Sequence, residues 1–250
     1  MALIQIGNKV NDMIRDSIKD KQYFENYLSK QSERADNFRS KLNSNEVKDD
    51  RLAAVRRKLF DLEFYSLIAS YSSGESISVL KDTLSNVIST YNLSVIETIK
   101  STKEINFILD TYVDYLWLVS ITYLIGEEND LQKLAATYEL YEEHDYLLDT
   151  LLGSVRINRE ISQELLFIDE YEEFKSILIS PQNQATDKLK MWVNKTWFKL
   201  METTSWHGEH NHKNNVYFGY WCFESAAFIK LLGLQKEEFK ECKFFPYDLL

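Results

Sequence analysis

The sequence predicts an all-α protein, and three observations lead to that class. The chain of 250 residues contains 7 glycines and 2 prolines, too few for the many turns of an all-β fold or the glycine-rich loops of an α/β fold. Hydrophobic residues make up 44% of the chain, enough to bury a core. Apolar residues recur three and four positions apart, which is the helical spacing. We therefore expect a compact bundle of about nine to ten helices with no sheet.

Four helices are predicted in the first half of the chain, over residues 9–44, 47–72, 76–91 and 103–125. The fourth is the most apolar, so it is the candidate for the deepest burial. It contains Asp110 and Asp114, one helical turn apart. The two carboxylates could line an internal polar pocket. Acidic side chains are seldom buried without a partner, so we expect them at the solvent edge of the helix.

Five helices are predicted in the second half, over residues 129–141, 144–154, 160–179, 184–203 and 217–232. Pro181 separates two of them, and Gly233 is typical of the end of the last. We divide the chain into an N-terminal helical region, residues 1–180, and a C-terminal helical region, residues 181–250. We expect the two regions to pack as one globular unit.

The cysteines and the N-terminal sequence point to the bacterial cytoplasm. Cys222 lies in an apolar run, where a buried free thiol is usual, and a disulfide with Cys242 is not expected in a chain without an export signal. The opening residues lack the basic start and the apolar stretch of a signal peptide. The apolar stretch within 103–125 is interrupted by Asp110 and Asp114, and it is too short to span a bilayer.

Charge is distributed unevenly along the chain. The net charge is −10, but residues 104–173 hold 3 basic and 17 acidic side chains, a net charge of −14. Such a segment repels nucleic acid and anionic membranes, whose affinity for proteins comes largely from lysine and arginine. It would instead attract a basic protein. The alternative is a solvated face that keeps the protein in solution.

The residues of this segment that we expect to contact a basic partner share an acidic side chain and a position on or beside the predicted helices. They are Glu139, Glu142, Glu143, Asp145, Asp149, Asp169, Glu170, Glu172 and Glu173. Neighbouring carboxylates on a helix point about 100° apart, so these residues do not converge on one substrate atom as general acid–base catalysis requires. Phosphate-binding and nucleophile motifs are also missing from the sequence. We therefore assign no catalytic residues.

A histidine-rich loop is the one candidate metal site. His207, His210 and His212 lie within six residues, but their spacing matches none of the common zinc motifs. A polar surface loop that binds no metal is the simpler interpretation. A helical metal-binding or ligand-binding domain, or a metalloenzyme, that uses residues 207–212 remains the alternative function.

The C-terminal sequence carries a family resemblance. The stretch YFGYWCFESAAFIKLLGL, residues 217–234, and the closing FPYDL, residues 245–249, resemble the C-terminal signature of the PoNi immunity proteins. The tryptophan-containing helix and the histidine-rich loop before them also fit that layout. The specific part of the resemblance covers about residues 185–250. The matching positions are Tyr217, Gly219, Tyr220, Trp221, Glu224, Ala226, Ala227, Pro246, Tyr247 and Asp248.

The resemblance implies an all-α immunity protein that binds and neutralises a cognate PoNe-type DNase toxin, without enzymatic activity or a cofactor. Such toxins pass between competing bacteria. Together with the charge distribution, it leads to the hypothesis that the acidic segment blocks the basic DNA-binding surface of the toxin. A homodimer is also compatible with the sequence.

The matching positions themselves have a structural interpretation. Gly219, Ala226 and Ala227 would permit close approach of helices. Glu224 lies among apolar neighbours, so it needs a partner if it is buried, and the histidine-rich loop or an arginine is the natural candidate. Residues 246–248 would hold the C-terminal tail against the rest of the protein.

Overall fold

The computed structural model describes residues 14–154 and 159–250, and every regular element in these two ranges is helical. The predicted all-α class is therefore confirmed. Residues 9–13, the start of the first predicted helix, lie outside the described ranges. The described part of that helix begins only at Lys21, because the carboxylate of Asp16 accepts the backbone N–H groups of Ile18 and Lys19 and holds this stretch in a turn.

Three long helices open the fold. Helix α1 (Lys21–Asn43) packs against α2 (Asp49–Ser72), which packs against α3 (Ile77–Thr102). The Asp20 and Ser76 side chains cap the first turns of α1 and α3 by accepting backbone N–H groups. Helix α3 continues eleven residues beyond the predicted end at 91, since Tyr91 and Val95 extend its buried face.

Helix α4 (Leu109–Ile125) lies at the centre of the protein. Every residue from 112 to 122 is buried, and the helix packs against α3 and against α5, α6 and α10, which follow in the chain. A helix that is apolar on all sides has to be surrounded in this way. The prediction that this segment is the most buried one is confirmed for its helical part, which begins at Leu109 rather than at residue 103.

The expectation for Asp114 is wrong, because its side chain is 1% exposed. Its carboxylate contacts the guanidinium of Arg57 on α2 and accepts a 3.1 Å hydrogen bond from the Tyr65 hydroxyl. Burial raises the pKa of Asp114 to about 7, and the Arg57 charge opposes that shift. Asp110 is half-buried, as expected of a residue at the edge of the helix.

The middle of the chain forms shorter helices, α5 (Glu128–Tyr138), α6 (Tyr146–Gly153) and α7 (Ile168–Leu178). The predicted helix over 160–179 is therefore too long at its start. Residues 159–167 do not form a helix because two of their backbone N–H groups, those of Ser162 and Leu166, donate to buried carboxylates of α6 and of the residue before it.

The C-terminal part contains α8 (Gln182–Met191), a π-helical turn (Trp192–Thr196), α9 (Trp197–Leu200) and α10 (Phe223–Leu232), with 3₁₀ turns at Glu209–Asn211, Lys236–Phe239 and Tyr247–Leu249. The larger of two hydrophobic clusters in these ranges contains residues from α1 through to Leu249. Cys222 and Cys242 are buried free thiols. None of the helices in the described ranges is long and apolar enough to cross a membrane.

Candidate protein-binding surface

The structure divides the nine acidic residues that were expected to contact a partner. Glu139, Glu142, Asp169, Glu172 and Glu173 are exposed, and Glu143 and Glu170 are half-buried. Two others belong to the interior: Asp145 and Asp149 are each 0% exposed. These two cannot contact a partner in this fold, so the prediction is corrected at both positions.

Asp145 is a capping residue of α6. Its Oδ1 accepts the backbone N–H groups of Leu147 and Leu148, at 2.9 and 3.1 Å, and the hydroxyl of Tyr112 at 2.8 Å. Its Oδ2 accepts the N–H of Leu166 at 3.0 Å. Burial raises the pKa of Asp145, while these hydrogen bonds oppose the shift. The side chain therefore joins the start of α6 to the segment that precedes α7.

Asp149 belongs to a buried ion pair. Its Oδ1 lies 2.5 Å from Nε of Arg159, and its Oδ2 accepts the N–H of Ser162 at 3.0 Å. The Arg159 side chain is 6% exposed, stacks on the ring of Tyr138 at 4.7 Å and also contacts the exposed carboxylate of Glu139. Arg159 thus ties the segment after α6 to the end of α5. Sequence reasoning did not single it out, although it is one of only two arginines beside the 17 acidic residues of the segment 104–173, which was a usable signal.

The acidic residues that do reach the surface form two groups. We call Glu139, Glu142 and Glu143 the loop patch, because they lie between α5 and α6. We call Asp169, Glu170, Glu172 and Glu173, on the first two turns of α7, the α7 patch. The two groups are linked through Asp145, which follows the loop patch and holds Leu166, just before α7.

Most of these carboxylates are electrostatically unmatched. Within the described ranges, Glu139 pairs with Arg159, whereas Glu142 and all four acids of the α7 patch form no ion pair. The α7 patch borders an open groove of about 670 Å³ beside Glu172. Ile168 and Ile179, 56% and 67% exposed, lie on its rim. The surface therefore combines negative charge with exposed apolar side chains, as protein-binding surfaces often do.

The first part of the C-terminal motif is not helical, which corrects the predicted helix over 217–232. Gly219 has φ +119°, a conformation that favours glycine, and a Cβ there would lie 2.1 Å from Oγ of Ser72. The close approach is therefore to the end of α2 rather than between two helices. Tyr217 donates a 2.5 Å hydrogen bond to Asp16, and Tyr220 contacts His210 Nδ1 through its hydroxyl at 2.9 Å.

Glu224 is fully buried in the first turn of α10. It has hydrogen-bond partners, as expected, but they are neither the histidine-rich loop nor an arginine. The indole N–H groups of Trp197 and Trp117 donate to its two oxygens at 2.8 and 3.0 Å, and the Tyr171 hydroxyl lies 3.5 Å away. Burial raises the pKa of Glu224 to about 7, and the indole hydrogen bonds oppose the shift. The carboxylate thus joins α4, α9 and α10.

The rest of the motif also supports the fold. Ala226 and Ala227 are completely buried on α10, which packs against α4. The tail is held as predicted: Pro246 precedes the last 3₁₀ turn, and Asp248 forms a 2.7 Å ion pair with Arg15. Lys236 lies over the ring of Tyr247. These positions shape the protein and are not grouped on one exposed face.

The three histidine side chains of the histidine-rich loop contact three different residues. His207 packs on Phe198 with ring centroids 4.1 Å apart, His210 contacts Tyr220, and Nδ1 of His212 lies 4.0 Å from Oε2 of Glu209. No group of three histidine, cysteine or acidic residues in the described part of the chain is placed to hold a metal ion. The loop is attached to α4 through Asp110, which accepts hydrogen bonds from the backbone N–H and the hydroxyl of Ser205.

Comparison with protein families accounts for nearly the whole chain. The model for the N-terminal region of the PoNe immunity proteins (PoNi) matches residues 15–136, and the model for their C-terminal region matches residues 143–249. The border between the two matches therefore lies upstream of the division at residue 180. Neither the comparison with curated proteins nor that with solved structures gives a match. Since the two regions occur in order and together span residues 15–249, the chain belongs to the family of PoNe immunity proteins.

Proposed function

We propose that this protein protects bacteria by binding a cognate PoNe-type DNase toxin in the cytoplasm and covering the surface with which the toxin holds DNA. Family membership supports the immunity role. The protein would act by occupying that surface, with no catalysis and no cofactor of its own. The contact surface that we propose consists of the loop patch and the α7 patch, without Asp145 and Asp149.

The observation that carries this proposal is a set of carboxylates at the surface that have no cationic partner in the described part of the chain: the exposed Glu142, Asp169, Glu172 and Glu173, and the half-buried Glu170. A nuclease needs a positively charged groove, because its affinity for DNA comes largely from contacts with phosphates. An acidic surface that faces such a groove accelerates association and competes with the phosphates. The exposed side chains of Ile168 and Ile179 would add apolar contact area beside the charges.

The test combines protection in cells with competition in solution. Co-expression with the toxic domain encoded beside this gene should restore survival and keep the chromosome intact, and the two proteins should co-purify. With a catalytically inactive toxin domain bound to labelled DNA, the purified protein should release the DNA. A stable complex of toxin, DNA and this protein would contradict the covering of the DNA surface. Failure to bind or protect at all would contradict the proposed function.

No observation in the described part of the chain favours a metal-dependent function on residues 207–212. His207, His210 and His212 contact Phe198, Tyr220 and Glu209 respectively.

A further inference from the structure

A pocket of about 330 Å³ lies between α1, α2 and the histidine-rich loop. Aromatic side chains form much of its lining, namely those of Tyr27, Tyr65, Trp206 and Phe218. The rings of Tyr65 and Phe218 are stacked with centroids 4.3 Å apart, so they present a rigid flat surface. The carboxylate residues Asp61 and Glu209 also line the pocket.

Two polar atoms of the lining residues lack a hydrogen-bond partner within the described part of the chain. They are Nε1 of Trp206, a residue that is 3% exposed, and Oε2 of Glu209, a buried atom of a side chain that is 29% exposed. Buried polar atoms without partners are uncommon in folded proteins. Nδ1 of His212 is the nearest basic nitrogen to Glu209, at 4.0 Å, but it accepts the N–H of Asn214 at 3.2 Å. It therefore has no proton to give to Glu209 in the neutral ring.

The charges in the pocket also leave Glu209 unmatched. Asp61 is paired with Arg57 at 2.8 Å and with Lys58, a basic residue that also lines the pocket, at 3.6 Å. Glu209 has no comparable cation among the described residues. A ligand that suits the pocket must therefore donate hydrogen bonds and carry positive charge toward Glu209. It must also offer an acceptor to the indole N–H of Trp206.

On the basis of the proposed function, we propose that this pocket receives an arginine side chain of the toxin. The guanidinium would donate to Glu209 and lie against the aromatic rings, which favour a planar cation. A main-chain carbonyl of the same toxin segment would accept the indole N–H of Trp206. Arginine side chains inserted into such pockets are frequent energetic centres of protein interfaces.

A short series of contacts connects the pocket to the loop patch, so one partner could occupy both. Glu143 accepts the backbone N–H of Phe107 at 2.8 Å, and Asp110, three residues further along the chain, accepts the N–H of Ser205 at 2.8 Å. Ser205 itself lines the pocket. Ile108 lies on this path and is 64% exposed. The pocket thus extends the proposed contact surface from the end of α5 to the histidine-rich loop.

A titration without the toxin tests the chemistry of the pocket. The probe is N-acetyl-arginine methylamide, and its neutral citrulline counterpart is the control. The indole N–H signal of Trp206, identified by its loss in Trp206→Phe, should shift with the arginine probe and not with the citrulline one. Glu209→Gln should weaken binding of the arginine probe about tenfold or more. Equal shifts with both probes, or no shift with either, would overturn the proposal.

A second experiment measures the affinity of pocket variants for the toxin. Glu209→Gln, which removes a charge, and Val216→Phe, which narrows the pocket at its half-buried wall, should each raise the Kd for the toxin about tenfold or more. Glu202→Gln is the matched control, since Glu202 is exposed on the same segment but does not line the pocket. If both pocket variants bind like the wild type, the pocket proposal fails and the proposed function stands. If the wild type does not bind, the proposed function fails, and the probe titration still judges the pocket.

Discussion

The hydroxyl of Ser72, at the end of α2, accepts a 2.8 Å hydrogen bond from the indole N–H of Trp221. The same hydroxyl donates to the carbonyl oxygen of Phe218 at 2.8 Å. Two residues that are 149 positions apart in the chain thereby hold the non-helical segment before α10 against α2. Gly219 lies between the two groups that Ser72 binds, so this contact depends on the absence of a side chain there.

Gly219→Ala should therefore destabilise the protein strongly. The new Cβ would lie 2.1 Å from Ser72 Oγ and 2.6 Å from Trp221 Nε1, in a backbone conformation with φ +119°. We expect a loss of more than about 3 kcal/mol in the free energy of unfolding. Gly208→Ala is the control: Gly208 has φ +80° with no atom within 4 Å of the new Cβ, so only the backbone cost of about 1–2 kcal/mol applies. Urea denaturation measures both, and equal losses would contradict the steric explanation.

Glu224 should make the stability of the protein depend on pH. Its pKa in the folded protein is about 7, above the ordinary value of 4.5, so the folded state binds the proton more tightly than the unfolded state. The stability that this group contributes is fully present below pH 4.5 and is lost as the pH rises to about 7. For a fully buried group with this shift, the loss is about 3 kcal/mol.

Glu224→Gln provides the measurement, because glutamine does not titrate. As the pH rises from 4.5 to 8, the free energy of unfolding of the wild type should fall relative to that of Glu224→Gln. Asp114 and Asp145 titrate in both proteins, so their contributions cancel in this difference. The exposed Glu172→Gln should show no such trend. A difference that stays constant with pH would mean that Glu224 does not change its protonation over this range.

Particular residues show what the sequence could and could not predict. The burial of α4 followed from its high apolar content, and the end of α10 at Gly233 followed from the residue type. The partners of Asp114 and Glu224 did not follow, because Arg57 and the two indoles approach from helices distant in sequence. For the same reason, charge counting could not separate the buried Asp145 and Asp149 from exposed neighbours such as Glu142. Composition determines the sign of a surface, while packing decides which of its charges reach solvent.

Asp149→Asn should weaken protection by unfolding the protein rather than by removing a contact with the toxin. The change leaves the Arg159 side chain, 6% exposed, without its buried counter-charge. Breaking a buried pair in this way costs about 3–5 kcal/mol. Glu142→Gln, at an exposed position of the same acidic segment, should change stability by less than about 0.5 kcal/mol. Thermal unfolding distinguishes the two variants. If Asp149→Asn were as stable as the wild type and yet failed to bind the toxin, Asp149 would contact the toxin directly.

Charge reversal on α7 should slow association with the toxin, and the effect should depend on salt. Glu172 and Glu173 are exposed and form no ion pair among the described residues, so Glu172→Lys/Glu173→Lys changes the local charge by four with little effect on folding. Long-range attraction acts mainly on the association rate and is screened over about 10 Å at 0.1 M salt. We expect the association rate at low salt to fall about tenfold or more, and the difference from wild type to shrink as salt is added. Glu25→Lys/Glu33→Lys makes the same change in net charge on exposed positions of α1. If both double variants slowed association equally, net charge rather than the α7 patch would be responsible, and the toxin would be expected to dock elsewhere on the protein.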